Sequence, residues 1–157
     1  MKPCAILIMS VGTAVLLACA GTQSSGTGNK TDSTQITPQR IGDIAGIEWH
    51  LKSIKMDNKS ITLIKDTQIT FSCDGKGKAA GVASINRYFG SFRLREDGEI
   101  AWSKAFGMTR MAGPPELMAQ ETKFMQALPL TTRIYLKNEK LQLISTDQST
   151  RLEFEKY

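Results

Sequence analysis

The sequence Gln68-Ile-Thr-Phe-Ser-Cys-Asp-Gly75 carries the clearest structural signal in the chain. Its apolar residues Ile69, Phe71 and Cys73 alternate with polar residues, as in a strand that buries only one face. The Asp74-Gly75 pair that follows favours a tight turn. Because a strand with one polar face suits an antiparallel sheet, this sequence predicts one strand of such a sheet.

Alternating or apolar runs recur on both sides of this strand. They are residues 47–51, 61–64, 79–84, 92–94, 100–102, 134–136, 141–143 and 152–154. Turn-forming sequences separate several of them, including Glu96-Asp97-Gly98-Glu99 and Asn138-Glu139. The whole pattern predicts an antiparallel sheet of about eight or nine short strands.

One segment has helical periodicity instead. Pro114-Pro115 suits the first turn of a helix, where the missing N–H of proline costs nothing. Leu117, Phe124 and Leu128 then recur at helical spacing until Pro129 ends the pattern. We therefore predict an α+β fold, in which a curved antiparallel β-sheet or partial barrel is covered by one α-helix.

The N-terminus has the layout of a bacterial lipoprotein signal peptide. Met1-Lys2-Pro3 is a short basic start, and residues 4–17 are apolar but shorter than the roughly twenty residues that span a bilayer. Leu16-Leu17-Ala18-Cys19 resembles a lipobox. Cleavage is therefore predicted between Ala18 and Cys19, after which the Cys19 thiol would carry a diacylglycerol group and anchor the protein in the membrane.

The remaining chain divides into two parts. Residues 19–40 begin with the lipidated Cys19 and are then almost entirely polar, which predicts a flexible tether. Residues 41–157 form the predicted domain. Ala20 stands where lipoproteins retained in the inner membrane typically have aspartate, so the sequence favours the periplasmic face of the outer membrane.

Four segments of the domain resemble one known family. They are Trp49-His50-Leu51, Gly81-Val-Ala-Ser-Ile-Asn86-Arg-Tyr88-Phe89-Gly90-Ser-Phe92, Met108-Thr109-Arg110-Met111-Ala112 and Met118-Ala-Gln-Glu121-Thr-Lys-Phe124-Met-Gln-Ala-Leu128. In this order and spacing they are similar to the META domain, also called the HslJ-like or DUF306 family, over residues 47–157. The resemblance implies a bacterial secreted or lipid-anchored protein linked to stress responses, with no established catalytic residues.

Two departures from the family pattern concern cysteine. Ile85 and Gly113 stand where family members often have cysteines. If those cysteines form a disulfide in relatives, this chain lacks it. Cys73 lies on the apolar side of its strand, so we expect a buried, unreactive thiol.

Few residues are suited to chemistry. His50, the only histidine, alternates with Trp49 and Leu51 and is expected to face solvent, and the chain has no G-x-S-x-G nucleophile motif. Asn86 and Arg110 are polar residues inside apolar motifs, so they either satisfy buried backbone groups and hold a turn or contact a ligand. The methionines could bind Cu(I) through their thioethers, but core packing is the favoured interpretation for Met108, Met111, Met118 and Met125.

Composition bounds the function further. The net charge of +5 comes from scattered basic residues, which does not favour nucleic acid as a partner. We expect a monomeric, non-catalytic envelope lipoprotein with no cofactor and no metal, which binds the membrane through its lipid and contacts an envelope protein. The alternative is a lipid or small-molecule carrier, or a pilot-type lipoprotein that binds a hydrophobic partner in a groove. An interior filled by Trp49, Phe71, Phe92, Trp102 and Phe124 would exclude a lipid.

Overall fold

The structure is a computed structural model that describes residues 33–157. Its strands are β1 (Ser33–Gln35), β2 (Trp49–Met56), β3 (Lys59–Ile61), β4 (Thr70–Cys73), β5 (Lys78–Ala83), β6 (Asn86–Leu94), β7 (Ile100–Trp102), β8 (Gly107–Met108), β9 (Arg133–Lys137), β10 (Lys140–Ile144) and β11 (Arg151–Lys156). The α-helix α1 is Pro115–Ala127, and 3-10 helices occupy Pro38–Asp43 and Leu128–Leu130. The predicted α+β class is confirmed. The strands outnumber the prediction because β1 and β8 were not predicted. The strand predicted at residues 61–64 was misplaced, because β3 ends at Ile61 and residues 62–64 lie outside the strands.

The strands pair antiparallel in the order β1-β9-β10-β11-β2-β4-β5-β6-β7, with β3 beside β2 and β8 beside β6. The sheet curls until β7 reaches the start of β9. There the Ile100 amide donates to the Thr132 carbonyl at 2.7 Å, and Glu99 and Arg133 form an isolated bridge. The register between β2 and β11 shifts at Glu153/Phe154, an irregularity of the kind that bends a strand. The result is an incompletely closed barrel.

Aromatic side chains fill the interior of the curled sheet. The ring centroids of Phe71 and Trp102 lie 6.5 Å apart, and those of Phe92 and Trp102 lie 5.4 Å apart. The ring centroids of Phe154 and Phe71 lie 5.8 Å apart, and Trp49 is buried in the same cluster. These separations fall in the range of roughly 4.5–7 Å that favours aromatic pairs. The interior is therefore occupied by side chains.

The helix α1 packs against β2 and β5, where its position matches the prediction. It begins at Pro115, and Pro129 follows one residue after the Leu128 cap. The ring of the buried Phe124 lies 5.5 Å from that of Tyr88. The buried residues of α1 are Gln120, Glu121, Phe124 and Ala127. Two polar side chains thus share the core face of the helix, whereas Leu117 is only half-buried.

The prediction of a flexible tether was wrong for residues 33–40. β1 pairs with β9, and the Ile36 amide donates to the Ile134 carbonyl at 2.9 Å. The Ile36 side chain is fully buried. Backbone hydrogen bonds hold this short segment, so its polar composition did not reveal that it is ordered. The other residues of the predicted tether, 19–32, lie outside the described residues.

Candidate functional site

Three segments that are far apart in the sequence meet where β6 begins. Asn86, the first residue of β6, is 2% exposed. Residues 109–111, which follow β8, lie against its side chain, and α1 places Glu121 against its backbone. The junction therefore unites three of the four segments that resemble the META family.

The Asn86 side chain uses all of its hydrogen-bonding capacity at this junction. Its Oδ1 accepts from Thr109 Oγ1 at 2.8 Å and from the Met111 amide at 2.7 Å. Its Nδ2 donates to the Met111 carbonyl at 3.2 Å and to Glu121 Oε1 at 2.9 Å. A primary amide offers two donors and an acceptor oxygen with two lone pairs, so no capacity remains for a ligand. Asn86 has the backbone-satisfying role that was one of its two predicted roles.

Glu121 is the buried charge of the junction, and sequence reasoning missed it. Its side chain is 4% exposed, and Oε2 accepts from the Asn86 amide at 2.8 Å and from the Ile85 amide at 3.4 Å. Together with the Asn86 Nδ2 bond, three N–H donors surround the carboxylate, as a buried charge requires. The signal in the sequence was its position three residues before Phe124, on the same face of the helix.

Gln120 extends the polar junction to two further loops. Its Oε1 accepts from the Ile64 amide at 2.7 Å, and its Nε2 donates to Thr67 Oγ1 at 3.0 Å and to Ser84 Oγ at 2.9 Å. Ser84 has φ of 74°, a left-handed conformation that costs a non-glycine residue roughly 1–3 kcal/mol. Side chains of α1 therefore hold the β5–β6 turn in place from both sides.

An open apolar groove lies over this polar junction. Met108, Met111, Ala112 and Met118 line it, and its volume is about 400 Å³. The Met111 side chain is 54% exposed, although methionine is hydrophobic. Arg110 also borders the groove and is exposed, without a hydrogen bond to any group among residues 33–157. The two polar candidates thus differ, because Asn86 lies in the floor and Arg110 at the surface.

The methionines do not all pack in the core as predicted. Met125 is half-buried against the core cluster, as is Met108. Met118 and Met111 instead line the groove, and neither belongs to that cluster. The prediction failed because positions 118 and 125, seven residues apart, were both assigned to the core face, whereas only Met125 packs against the core cluster.

Ile85 and Gly113, the positions where the family often has cysteines, are in contact. A Cβ atom at position 113 would lie 3.1 Å from Cγ1 and 3.6 Å from Cγ2 of Ile85. Both of these atoms are bonded to the Ile85 Cβ, so the two Cβ positions are close to the separation that a disulfide needs. In this chain, the large Ile85 side chain occupies the space that a side chain at position 113 would take, and Gly113 leaves that space open.

The two other candidates for chemistry, His50 and Cys73, are in contact with neighbouring side chains or buried. His50 Nε2 lies 3.1 Å from Glu48 Oε1, and the ring packs 4.8 Å from that of Tyr157. The His50 side chain is only 16% exposed, so it is less accessible to solvent than the sequence predicted. Cys73 is buried and unpaired, as predicted, and burial with the nearby Asp74 charge raises the pKa of its thiol to about 12.

The predicted cleavage and lipidation residues, Ala18 and Cys19, lie outside the described residues. Between residues 33 and 157, no helix reaches the length and hydropathy that crossing a bilayer requires. Within the same range, no group of three or more His, Cys, Asp and Glu side chains is placed to hold a metal ion.

Comparison with known proteins agrees with this architecture. An NMR structure of a protein from Burkholderia xenovorans superposes with a TM-score of 0.63 at 23% identity, covering 79% of this chain and 90% of that one. A crystal structure of a DUF4847 family protein from Bacteroides vulgatus gives 0.51 at 12% identity, covering 71% and 93%. These likenesses show the fold, whereas no curated protein matches the sequence at a significant level. The META domain model matches residues 42–156, and this chain therefore belongs to the META domain family.

Proposed function

We propose that this protein is a non-catalytic lipoprotein of the bacterial cell envelope that acts through protein contacts. Its predicted anchor is a lipid on Cys19, and its predicted site is the periplasmic face of the outer membrane. The lipobox-like Leu16-Leu17-Ala18-Cys19 supports the anchor. By analogy with the family, the role is stress tolerance or envelope maintenance.

The observation that carries the proposal is the open groove lined by Met108, Met111 and Met118. Thioether side chains are flexible and polarizable, so a methionine surface adapts to apolar side chains of different shapes. The exposed Arg110 beside it adds a positive charge that forms no ion pair within residues 33–157. These features suit a protein segment that presents an apolar side chain next to an acidic residue.

The state of the reactive side chains supports a non-catalytic role. His50, the only imidazole in the sequence, is already engaged with Glu48 and Tyr157. The Cys73 thiol is buried, and its raised pKa keeps it protonated, which makes it a poor nucleophile. Neither group borders the methionine groove.

The packed interior bears on the alternative function. A lipid or small-molecule carrier needs an internal cavity, whereas Phe71, Phe92 and Trp102 occupy the middle of the curled sheet. The alternative function has a second form, a pilot-type protein that takes a hydrophobic segment into an open groove, and only this form suits the packed interior. It agrees with the protein contact proposed here.

Site-specific photo-crosslinking in intact cells tests the proposal. A photoreactive phenylalanine analogue is placed at Met111 in the groove, and, as a matched control, at Leu130. Leu130 is similarly exposed, at 49%, and lies beyond the opposite end of α1. We expect a discrete crosslinked protein from position 111 that is absent from position 130. Met118→Gln makes the groove more polar and should lower the yield of that product.

Two outcomes would contradict the proposal. One is the same set of crosslinked products from positions 111 and 130, which would indicate random collision. The other is a product from position 111 whose yield does not change in the Met118→Gln protein, because contact through the groove must depend on its lining.

A further inference from the structure

A second concave site lies on the outer face of β9, β10 and β11. It has a volume of about 350 Å³, and three cationic side chains line it: Arg133, Lys137 and Arg151. The Tyr135 phenol lies among them, and hydroxyl and amide side chains of the β10–β11 turn complete the wall. None of the described residues that line this pocket is acidic. We call it the cationic pocket.

The charges of the cationic pocket are not neutralised by neighbours. None of its three cations forms an ion pair with a carboxylate in the part of the chain that the structure describes. The Arg133 Nη1 donates to the Asp97 carbonyl at 3.1 Å, which fixes that side chain while its charge remains. Three positive charges around one concavity attract an anion that can accept several hydrogen bonds.

Two acidic residues close to the lining of the pocket, Asp147 and Glu153, have other hydrogen-bond partners. The carboxylate of Asp147 accepts hydrogen bonds from Ser145 Oγ and from the Ser149 amide, and both donors belong to the same β10–β11 turn as Asp147. Glu153, on the same face of β11 as Arg151, accepts from Gln142 Nε2 at 3.4 Å. Neither acid lines the pocket.

The cationic pocket lies where the chain enters the domain. Ser33, the first described residue, forms part of its wall. Cys19, the predicted lipidated residue, precedes Ser33 by fourteen positions. Even a fully extended chain of that length reaches only about 50 Å, so a lipid on Cys19 would keep the pocket close to the headgroups of its membrane. That proximity raises the local concentration of headgroups at the pocket.

We propose that the cationic pocket binds the phosphate of an anionic phospholipid headgroup. Arg133 and Arg151 would flank the phosphate from β9 and β11, and Lys137 and the Tyr135 hydroxyl would donate to its remaining oxygens. Binding would orient the domain so that the outer face of β9–β11 lies against the membrane. The choice of a lipid as the source of the phosphate rests on the proposed lipoprotein function.

Vesicle co-sedimentation tests this with residues 20–157, which keep every described residue and lack the lipid anchor. The vesicles contain phosphatidylcholine alone or phosphatidylcholine mixed with phosphatidylglycerol. The test variant is Lys137→Gln/Arg151→Gln, and it leaves the Arg133 hydrogen bond intact. The control is Arg87→Gln/Arg93→Gln, which removes the same charge from exposed positions of β6 outside the cationic pocket. Thermal melts check that both variants fold.

We expect binding to the phosphatidylglycerol vesicles but not to phosphatidylcholine alone. The Lys137→Gln/Arg151→Gln protein should bind about thirtyfold more weakly, whereas the control should stay within about threefold of the unchanged protein. Equal losses in both variants would overturn the proposal, because they would indicate attraction by the whole basic surface. Absence of binding by the unchanged protein would also overturn it.

Competition with inorganic phosphate distinguishes the two possible ligands of the cationic pocket, the phosphate of a lipid headgroup and free phosphate. If millimolar phosphate prevents vesicle binding completely and the protein binds phosphate without vesicles, the pocket serves free phosphate and the lipid proposal fails. Acylation of Cys19 is measured independently, by mass spectrometry of the mature protein. A protein that is acylated but does not bind the vesicles refutes the cationic pocket alone, and vesicle binding without acylation refutes the lipoprotein function alone.

Discussion

At the scale of single residues, the contact between Glu121 and Asn86 joins the helix to the sheet. The carboxylate accepts three N–H donors from Ile85 and Asn86, and the Asn86 amide in turn holds both backbone groups of Met111. The Asn86 donors are buried and the Ile85 amide is partly buried, so removal of the carboxylate would leave hydrogen-bonding groups without an acceptor away from water. The apolar groove therefore has a polar floor that is held by hydrogen bonds.

Glu121→Gln tests this network. In the variant, an NH2 group replaces one of the two carboxylate oxygens. This group donates instead of accepting, so at least one buried N–H donor loses its acceptor. We expect the free energy of unfolding to fall by about 2 kcal/mol or more in denaturant melts. The matched control is Glu116→Gln, an exposed residue in the first turn of α1, which should cost less than about 1 kcal/mol. Equal effects of the two substitutions would show that Glu121 does not hold the junction.

Sequence reasoning predicted one half of this pair. Asn86 was recognisable because it is polar within an apolar motif, and such a residue needs a partner. Glu121 was not recognised because a charged residue in a helix usually faces solvent, and its burial depends on donors 35 and 36 positions away. Arg110 was grouped with Asn86 by the same reasoning, yet its side chain is exposed. Pattern alone does not show which polar residue in a motif turns inward.

At the scale of elements, α1 completes the core of the domain. Phe124→Ala should leave a cavity and lower the free energy of unfolding by about 3–5 kcal/mol, because the ring is fully buried against Tyr88. The measurement is a denaturant melt of residues 20–157, with Leu130→Ala as an exposed apolar control. A loss below about 1 kcal/mol for Phe124→Ala would indicate that α1 is a lid over a pocket, as in the carrier alternative.

The contact of Ile85 with Gly113 predicts that a disulfide can be introduced between these positions. Ile85→Cys/Gly113→Cys should oxidise in residues 20–157 and close a loop of about 28 residues, which would stabilise the domain by about 3–4 kcal/mol. Thermal melts with and without a thiol reductant measure the effect. The unchanged protein is the control, and its two melts should coincide because Cys73 is buried and unpaired. Engineered cysteines that stay reduced under oxidising conditions would show that the two positions are farther apart than the structure places them.

At the scale of the whole molecule, the alternation of apolar residues was sufficient to predict the fold class. In β11, for example, buried residues alternate with partly exposed ones, so the periodicity of the strand appears in the sequence. The entry segment was assigned wrongly, because β1 is held by backbone bonds to β9 and a single buried Ile36. The cationic pocket was also invisible, since Arg133, Lys137 and Arg151 come together only when β9 and β11 flank β10.

The proposed function as an envelope lipoprotein depends on the lipid anchor, and the mass of the mature protein tests that anchor most directly. The protein is expressed in a bacterium that processes lipoproteins, extracted from its membranes and examined by mass spectrometry. We predict a chain that begins at Cys19, lacks residues 1–18 and carries a diacylglycerol group on its N-terminal cysteine. A chain that retains Met1, or one that is cleaved at another bond and carries no lipid, would contradict the assignment as an envelope lipoprotein.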